Sequence, residues 1–105
     1  MRFVSEAESA ALISEKLAFT AVREALIAAA EGADSFATVL GHGSDSENRF
    51  TVKSAASREL AGVKIGSYWP GNADLGIPRH NSIVLLFDRT VGRIAAMVEA
   101  GTVNV

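Results

Sequence analysis

The spacing of apolar and polar residues changes at one point of the chain, and that change divides it. Up to Gly32 the repeat is helical. Leu17, Ala21, Val22, Ala25, Leu26 and Ala29 recur at three- and four-residue intervals, while Lys16, Arg23, Glu24 and Glu31 fall largely outside that stripe. Ser14 is placed to cap this helix, Glu15 suits its positive end, and Gly32 is a stop. A shorter helix over 6–13 is predicted ahead of it. Ser5 and Glu8 form a capping box, in which Ser5 accepts from the N3 amide and Glu8 reaches back. Residues 1–4 read as a short strand or an extended lead-in.

After Gly32 the period is two. Residues 36–41 are a strand candidate, and the glycine- and serine-rich run 41–48 reads as a loop. Over 49–55, Phe50 and Val52 alternate with Thr51 and Lys53. Over 59–69, Ala61, Val63 and Ile65 alternate with Gly62, Lys64, Gly66 and Tyr68. Pro70-Gly71-Asn72 and Gly76-Ile77-Pro78 mark breaks. The strongly apolar run 81–87 is predicted to be a central strand, followed by a hairpin loop over 88–92 and a strand over 93–99. Gly101 ends the pattern. The fold class is therefore α+β: two N-terminal helices packed on a mostly antiparallel or mixed sheet of about five or six strands. A single domain over 1–105 is expected, without repeats or low-complexity linkers.

Composition narrows the function classes. The chain has 105 residues, 49% apolar and 21% charged, a net charge of −2 and no cysteine. This length suits one domain that buries roughly 60–70% of its unfolded surface. The missing cysteine excludes disulfides, iron–sulfur clusters and thiolate zinc sites. The mildly acidic balance gives no case for nucleic acid or an anionic membrane. The longest apolar run, 25–30, is far short of the ~20 residues of a membrane span. Glu6 and Glu8 come within the first eight residues and no apolar run follows them, so no signal peptide is expected and the cytoplasm is the default.

Several polar sets have ordinary explanations. Gly41-His42-Gly43 opens like a phosphate loop, but the third glycine is missing, and Asp45 and Glu47 would repel a phosphate. His42 and His80, with Asp45 or Asp88, lack metal-ligand spacing. Ser82, His80 and Asp88 lack a nucleophile elbow. Lys64 is different, because it interrupts an apolar strand and its same-face neighbours are Gly62 and Gly66. Positions without side chains on both sides leave a hollow where a ligand can approach. A lysine there suits a carboxylate, a carbonyl or proton transfer; the alternative is a packed stem with its ammonium in water. Arg49, Thr51 and Lys53 share one strand face. If that face meets Lys64 the result is a cationic pocket for an amino-acid or keto-acid carboxylate; otherwise it is a charged edge strand. Arg79 and His80 stand at a strand entrance after Pro78, a position used by site residues and by plain loops alike.

Four motifs then occur in a recognisable order. They are Val63-Lys64-Ile65-Gly66-Ser67-Tyr68-Trp69-Pro70-Gly71-Asn72, Gly76-Ile77-Pro78-Arg79-His80, Ile83-Val84-Leu85-Leu86-Phe87-Asp88 and Gly92-Arg93-Ile94-Ala95-Ala96. With Phe3-Val4-Ser5-Glu6 and the paired helices, the chain resembles the ornithine cyclodeaminase/mu-crystallin family over essentially its whole length. The resemblance implies an NAD(P)-dependent enzyme acting on small amino acids or cyclic imines, of the ornithine cyclodeaminase, alanine dehydrogenase or ketimine/pyrroline-2-carboxylate reductase type. It implies an N-terminal substrate-binding and dimerisation domain followed by a Rossmann domain. Lys64 matches the pocket lysine that contacts substrate and assists proton transfer, and His80 matches a position near the pocket. Many members have an arginine where this strand has Ala37, so Arg49 or Lys53 is expected to take the substrate carboxylate.

By the same resemblance, the cofactor-binding half with its dinucleotide loop and catalytic aspartate would follow Val105. The expected function is the substrate-binding half of a truncated family enzyme. It has Lys64 as catalytic residue, Lys64, Arg49, Lys53 and His80 as substrate residues, and no cofactor or metal of its own. NAD(H) or NADP(H) serves full-length members. A homodimer or higher oligomer through sheet edges is expected. The alternatives are a non-catalytic module that binds small carboxylates or dimerises, and a folded remnant.

Overall fold

The helices form where the caps place them. In the computed structural model, which describes residues 1–32, 34–57 and 60–101, α1 runs over Glu6–Leu12 and α2 over Glu15–Ala30. The Glu8 amide donates to Ser5 Oγ at 3.2 Å and the Leu17 amide to Ser14 Oγ at 3.1 Å. The capping box closes differently from the expectation. The Ser5 hydroxyl meets Glu8 Oε1 at 3.4 Å, while the first helical amide, that of Glu6, donates to Glu99 Oε2 at 3.1 Å. Gly32 follows α2 with a φ of +96°, a left-handed conformation that glycine adopts without strain.

Seven strand segments make one sheet. They are β1 (Arg2–Val4), β2 (Asp34–Ser35), β3 (Val39–His42), β4 (Arg49–Ala56), β5 (Ala61–Tyr68), β6 (His80–Phe87) and β7 (Ile94–Glu99). β4 to β7 form an antiparallel meander in chain order. β2 and β3 share the outer side of β4, against 55–56 and 49–52 respectively, so the sheet is six positions wide. At the other edge β1 lies parallel to β7, which makes the sheet mixed. The apolar run expected at the centre is β6, flanked by β5 and β7.

Two boundaries differ from the sequence expectation. The strand expected over 36–41 is split. Phe36 still donates to the Ser54 carbonyl at 3.2 Å, but regular pairing begins at Val39 and continues through His42. The loop expected from Gly41 therefore starts at Gly43, whose amide meets the Asn48 carbonyl at 2.8 Å. A side chain at Gly41 would run into the Phe50 ring and one at Gly43 into Trp69, so these glycines serve ring packing rather than phosphate binding. The residues Arg58, Glu59 and Thr102–Val105 lie outside the described residues, as does Ala33, so the strand start expected at 59 is not among them.

The β5–β6 connection sets the height of His80. After Trp69 a short 3₁₀ helix, Pro70–Leu75, ends at Gly76 with φ +70°. The Trp69 amide then donates to the Arg79 carbonyl at 2.9 Å, and both Asn72 Nδ2 and Asn81 Nδ2 donate to the Pro78 carbonyl, at 3.0 and 3.1 Å. At the other end of β6, Asp88 Oδ1 accepts from the Thr90 amide at 2.9 Å and Gly92 takes φ +74°.

Burial is concentrated at the junction of β1, α1 and the end of β7. Among the described residues only Val4, Ser9 and Ala100 are buried. α1 lies against β7. α2 was expected to pack on the sheet as well, yet Leu17, Phe19, Val22, Leu26 and Ile27 on it are 45–72% exposed. Phe3, Val39, Phe50 and Ile65, which the register puts on one sheet face, are 39–59% exposed. The chain exposes 7785 Å², about 2,200 Å² more than a compact protein of 11.0 kDa. Its radius of gyration, 15.0 Å, likewise exceeds the roughly 13 Å of a compact chain this long.

Candidate functional site

Residues directly opposite in an antiparallel ladder share a face. The register therefore lays out three rows across β4, β5 and β6. Lys53 and Lys64 pair with each other, with Val84 next to Lys64. Thr51, Gly66 and Ser82 form the middle row, and Arg49, Tyr68 and His80 the third. Arg49, Thr51 and Lys53 do meet Lys64, side by side on one face. These rows line a cleft of about 410 Å³, the size of a small-molecule site.

The third row is a stack. The Arg49 guanidinium lies 5.4 Å from the Tyr68 ring centroid, and the Tyr68 and His80 rings are 4.6 Å apart at 31°. Such cation–π and ring contacts are worth roughly 0.5–1.5 kcal/mol each, enough to favour one orientation of an exposed arginine. Lys64 is half-buried and Lys53 exposed. The lining holds Arg49, Lys53, Lys64 and His80 but no carboxylate, a local excess of basic groups on a chain of net −2.

The hollow expected on both sides of Lys64 exists on one. A Cβ on Gly66 would have no neighbour nearer than 3.8 Å, so the floor is open there. A Cβ on Gly62 would come within 3.0 Å of the Leu85 carbonyl oxygen and 3.3 Å of Leu86 Cδ2. The neighbouring strand fills that side, which spacing along one strand cannot reveal. Tyr68 and Ser82 were not expected to be site residues. Alternation from Lys64 through Gly66 puts Tyr68 on the same face, and that signal was available.

Other candidates are not assembled. Asp88 is at the far end of β6 from His80 and caps its own loop, so Ser82, His80 and Asp88 do not form a triad. His42 pairs with Arg49 at the β3 edge, and Asp45 Oδ1 accepts from the Glu47 amide at 3.0 Å. Among the described residues no group of three His, Asp or Glu side chains is placed to hold a metal. Ala37 is exposed between β2 and β3 and does not line the cleft. Arg79 lines a second, larger hollow of about 930 Å³ with Glu6 and Glu99 at the β6–β7 end, which adjoins the cleft through Gly66, His80 and Ser82. Gly41-His42-Gly43 is strand and hairpin, with no helix following it as in a phosphate loop. No described helix is long and apolar enough to cross a membrane.

No family model matches the chain. It is 38% identical over 103 residues to the iminosuccinate reductase of Paracoccus denitrificans (strain Pd 1222), covering 93% of this chain and 32% of that protein. The structure of that reductase with NAD⁺ superposes with a TM-score of 0.87 at 30% identity, covering 97% of this chain and 33% of the other. An archaeal alanine dehydrogenase dimer with bound NAD superposes at 0.90 with 26% identity, over 98% of this chain and 32% of that one. Thermococcus litoralis Δ1-pyrroline-2-carboxylate reductase, in complex with NADH and L-proline, shares the fold at a TM-score of 0.93 and 22% identity, over 99% of this chain and 33% of its own. The chain thus spans about a third of the length of each of these NAD-binding relatives. Its four motifs, its mixed six-position sheet and these relatives together support the resemblance to the ornithine cyclodeaminase/mu-crystallin family over the third of those proteins that it spans.

Proposed function

We propose that these 105 residues form the substrate-binding part of an NAD(P)-dependent enzyme that acts on a small amino acid or imino acid. The observation that carries this reading is the position of Lys64: half-buried, beside the open floor at Gly66, and paired with the Lys53 row of a cationic cleft. Arg49 and Lys53 attract the substrate carboxylate, with Arg49 replacing the arginine that Ala37 lacks. A guanidinium fork held on a ring can receive a carboxylate through two parallel bonds. Lys64 then stands near the substrate's α-carbon and nitrogen, where an ammonium can polarise a C=N or C=O group or exchange a proton with it. His80 closes the rim. The nicotinamide supplies the redox chemistry when bound, and its seat belongs to other parts of such an enzyme.

L-Lactate, a small 2-hydroxy acid, tests this by calorimetry. Saturable binding that weakens at least ten-fold in Lys64→Ala supports the reading. Unchanged binding in Lys64→Ala removes Lys64 from the site.

Self-association is a second part of the reading. The excess of about 2,200 Å² exceeds the ~800 Å² per partner of a standard interface. The exposed apolar residues Phe3, Val39, Phe50 and Ile65 lie on the sheet face opposite Lys64, with Phe3 and Val39 on its outermost strands. A homodimer built on that face leaves the cleft open. Sedimentation of the chain across a hundred-fold concentration range tests it, and a strictly monomeric chain contradicts it.

A further inference from the structure

We infer that Tyr68 is a positioning residue of the cleft: its ring, braced by His80 from β6, holds the Arg49 guanidinium of β4 in the orientation that receives a carboxylate. This rests on the reading of the cleft as a small-carboxylate site. It moves His80 from substrate contact to a support that acts through Tyr68. Three observations carry it.

The first is the direction in which Arg49 leans. The register sets His42, Arg49, Tyr68 and His80 in one row across β3, β4, β5 and β6. Arg49 therefore has two lateral neighbours, His42 on the edge strand and Tyr68 toward the middle of the sheet. Its guanidinium carbon lies 5.4 Å from the Tyr68 ring centroid, which keeps the cation on the side of the cleft. An exposed arginine samples many rotamers, and a cation–π contact at an exposed site favours one of them roughly two- to five-fold.

The second is the support behind the ring. The Tyr68 and His80 rings are 4.6 Å apart and tilted by 31°, a contact that braces the phenol plane from the β6 side. His80 opens β6, and the backbone just before it is fastened twice. The Trp69 amide donates to the Arg79 carbonyl at 2.9 Å, and the Asn72 and Asn81 side-chain amides both donate to the Pro78 carbonyl. The imidazole thus stands on an anchored strand start.

The third is where the row is fixed. Tyr68 is half-buried between two exposed neighbours, Arg49 and His80. Two residues back on the same face is Gly66, so no side chain along β5 braces the ring on that side. The orientation of Tyr68 is set across the strands, by His80, and passes across the strands to Arg49.

Calorimetry with L-lactate on paired variants tests this. Tyr68→Leu is expected to weaken binding roughly three-fold or more, and Tyr68→Phe, which keeps the ring, less than about 1.5-fold. In an Arg49→Gln background, Tyr68→Leu is expected to change affinity less than about 1.5-fold, because the partner it positions is gone. A tyrosine that only shapes the cleft costs the same in both backgrounds, and that result overturns the inference. The ring current gives a second readout without ligand. The Arg49 side-chain protons are expected upfield in wild type and Tyr68→Phe, at their ordinary position in Tyr68→Leu, and between the two in His80→Ala. Arg49 resonances that do not move in His80→Ala overturn the relay, and this arm stands even where Tyr68→Leu fails to fold by circular dichroism. Saturable lactate binding that depends on Lys64 but not on Tyr68 overturns the inference and leaves the general site standing. If wild type does not bind lactate saturably, both readings fall.

Discussion

Lys53 and Lys64 stand directly opposite each other across the β4–β5 ladder, on the same face of the sheet. Like charges directly opposite on adjacent strands are unfavourable, on the order of the roughly 0.2–1 kcal/mol that other cross-strand pairs contribute. The cost becomes useful when an anion lies between them.

A stability measurement follows from this pair. Lys53→Gln is expected to raise the melting temperature of the ligand-free chain, because it removes one of two like charges set directly opposite across the ladder. The same variant is expected to gain less than wild type when L-lactate is added. Thermal melts with and without lactate check both halves; a lower melting temperature in the unliganded variant contradicts the account.

The two glycines beside Lys64 should respond in opposite ways. Gly66→Ala places a methyl group at ordinary contact distance on the cleft floor, so the fold is expected to survive while carboxylate affinity falls. Gly62→Ala forces a methyl against the Leu85 carbonyl oxygen at 3.0 Å and is expected to cost about 1–3 kcal/mol of stability. Denaturant unfolding of the two variants, compared with their lactate affinities, separates the roles.

A third prediction concerns the first helix. Glu99 Oε2 accepts from the Glu6 amide, and the Glu6 carboxylate accepts in turn from the Gly101 amide, so the N-terminal β1–α1 unit is tied to the end of β7. Glu99→Ala removes that acceptor from a helix start and is expected to cost about 0.5–2 kcal/mol. Hydrogen exchange should show the loss first as faster exchange in α1, with β4–β6 little changed.

Much of this architecture is readable along the chain because the deciding signals are local. Ser5 and Ser14 begin the helices, Gly32 ends the second, and the alternation through Phe50, Val52, Val63 and Ile65 marks strands that do form. What the chain conceals are relations between distant segments. The filling of the Gly62 side by Leu85, the parallel seat of β1 on β7 and the Tyr68–His80 ring contact all depend on register between strands. The stripe on α2 shows the same limit. Leu17, Val22 and Leu26 recur as an amphipathic helix requires, yet no described part of this chain covers them. Periodicity says that a face must be buried and not by what.

The surface left uncovered gives a fourth prediction. Ile65 lies on the apolar face and is 40% exposed. Ile65→Lys is expected to weaken the self-association proposed for that face while leaving lactate affinity within about two-fold, because Ile65 and Lys64 point to opposite faces. Sedimentation and calorimetry on one preparation read both effects.

The central claim is that the Lys64 face of β4, β5 and β6 binds a small carboxylate. Its most direct test is a residue-resolved NMR titration of the isotopically labelled chain with L-lactate. The account predicts saturable shifts concentrated on Thr51, Lys64, Gly66, Tyr68 and Ser82. Saturable shifts confined to the hollow around Arg79 and Glu99, or no saturable shift anywhere, would contradict it.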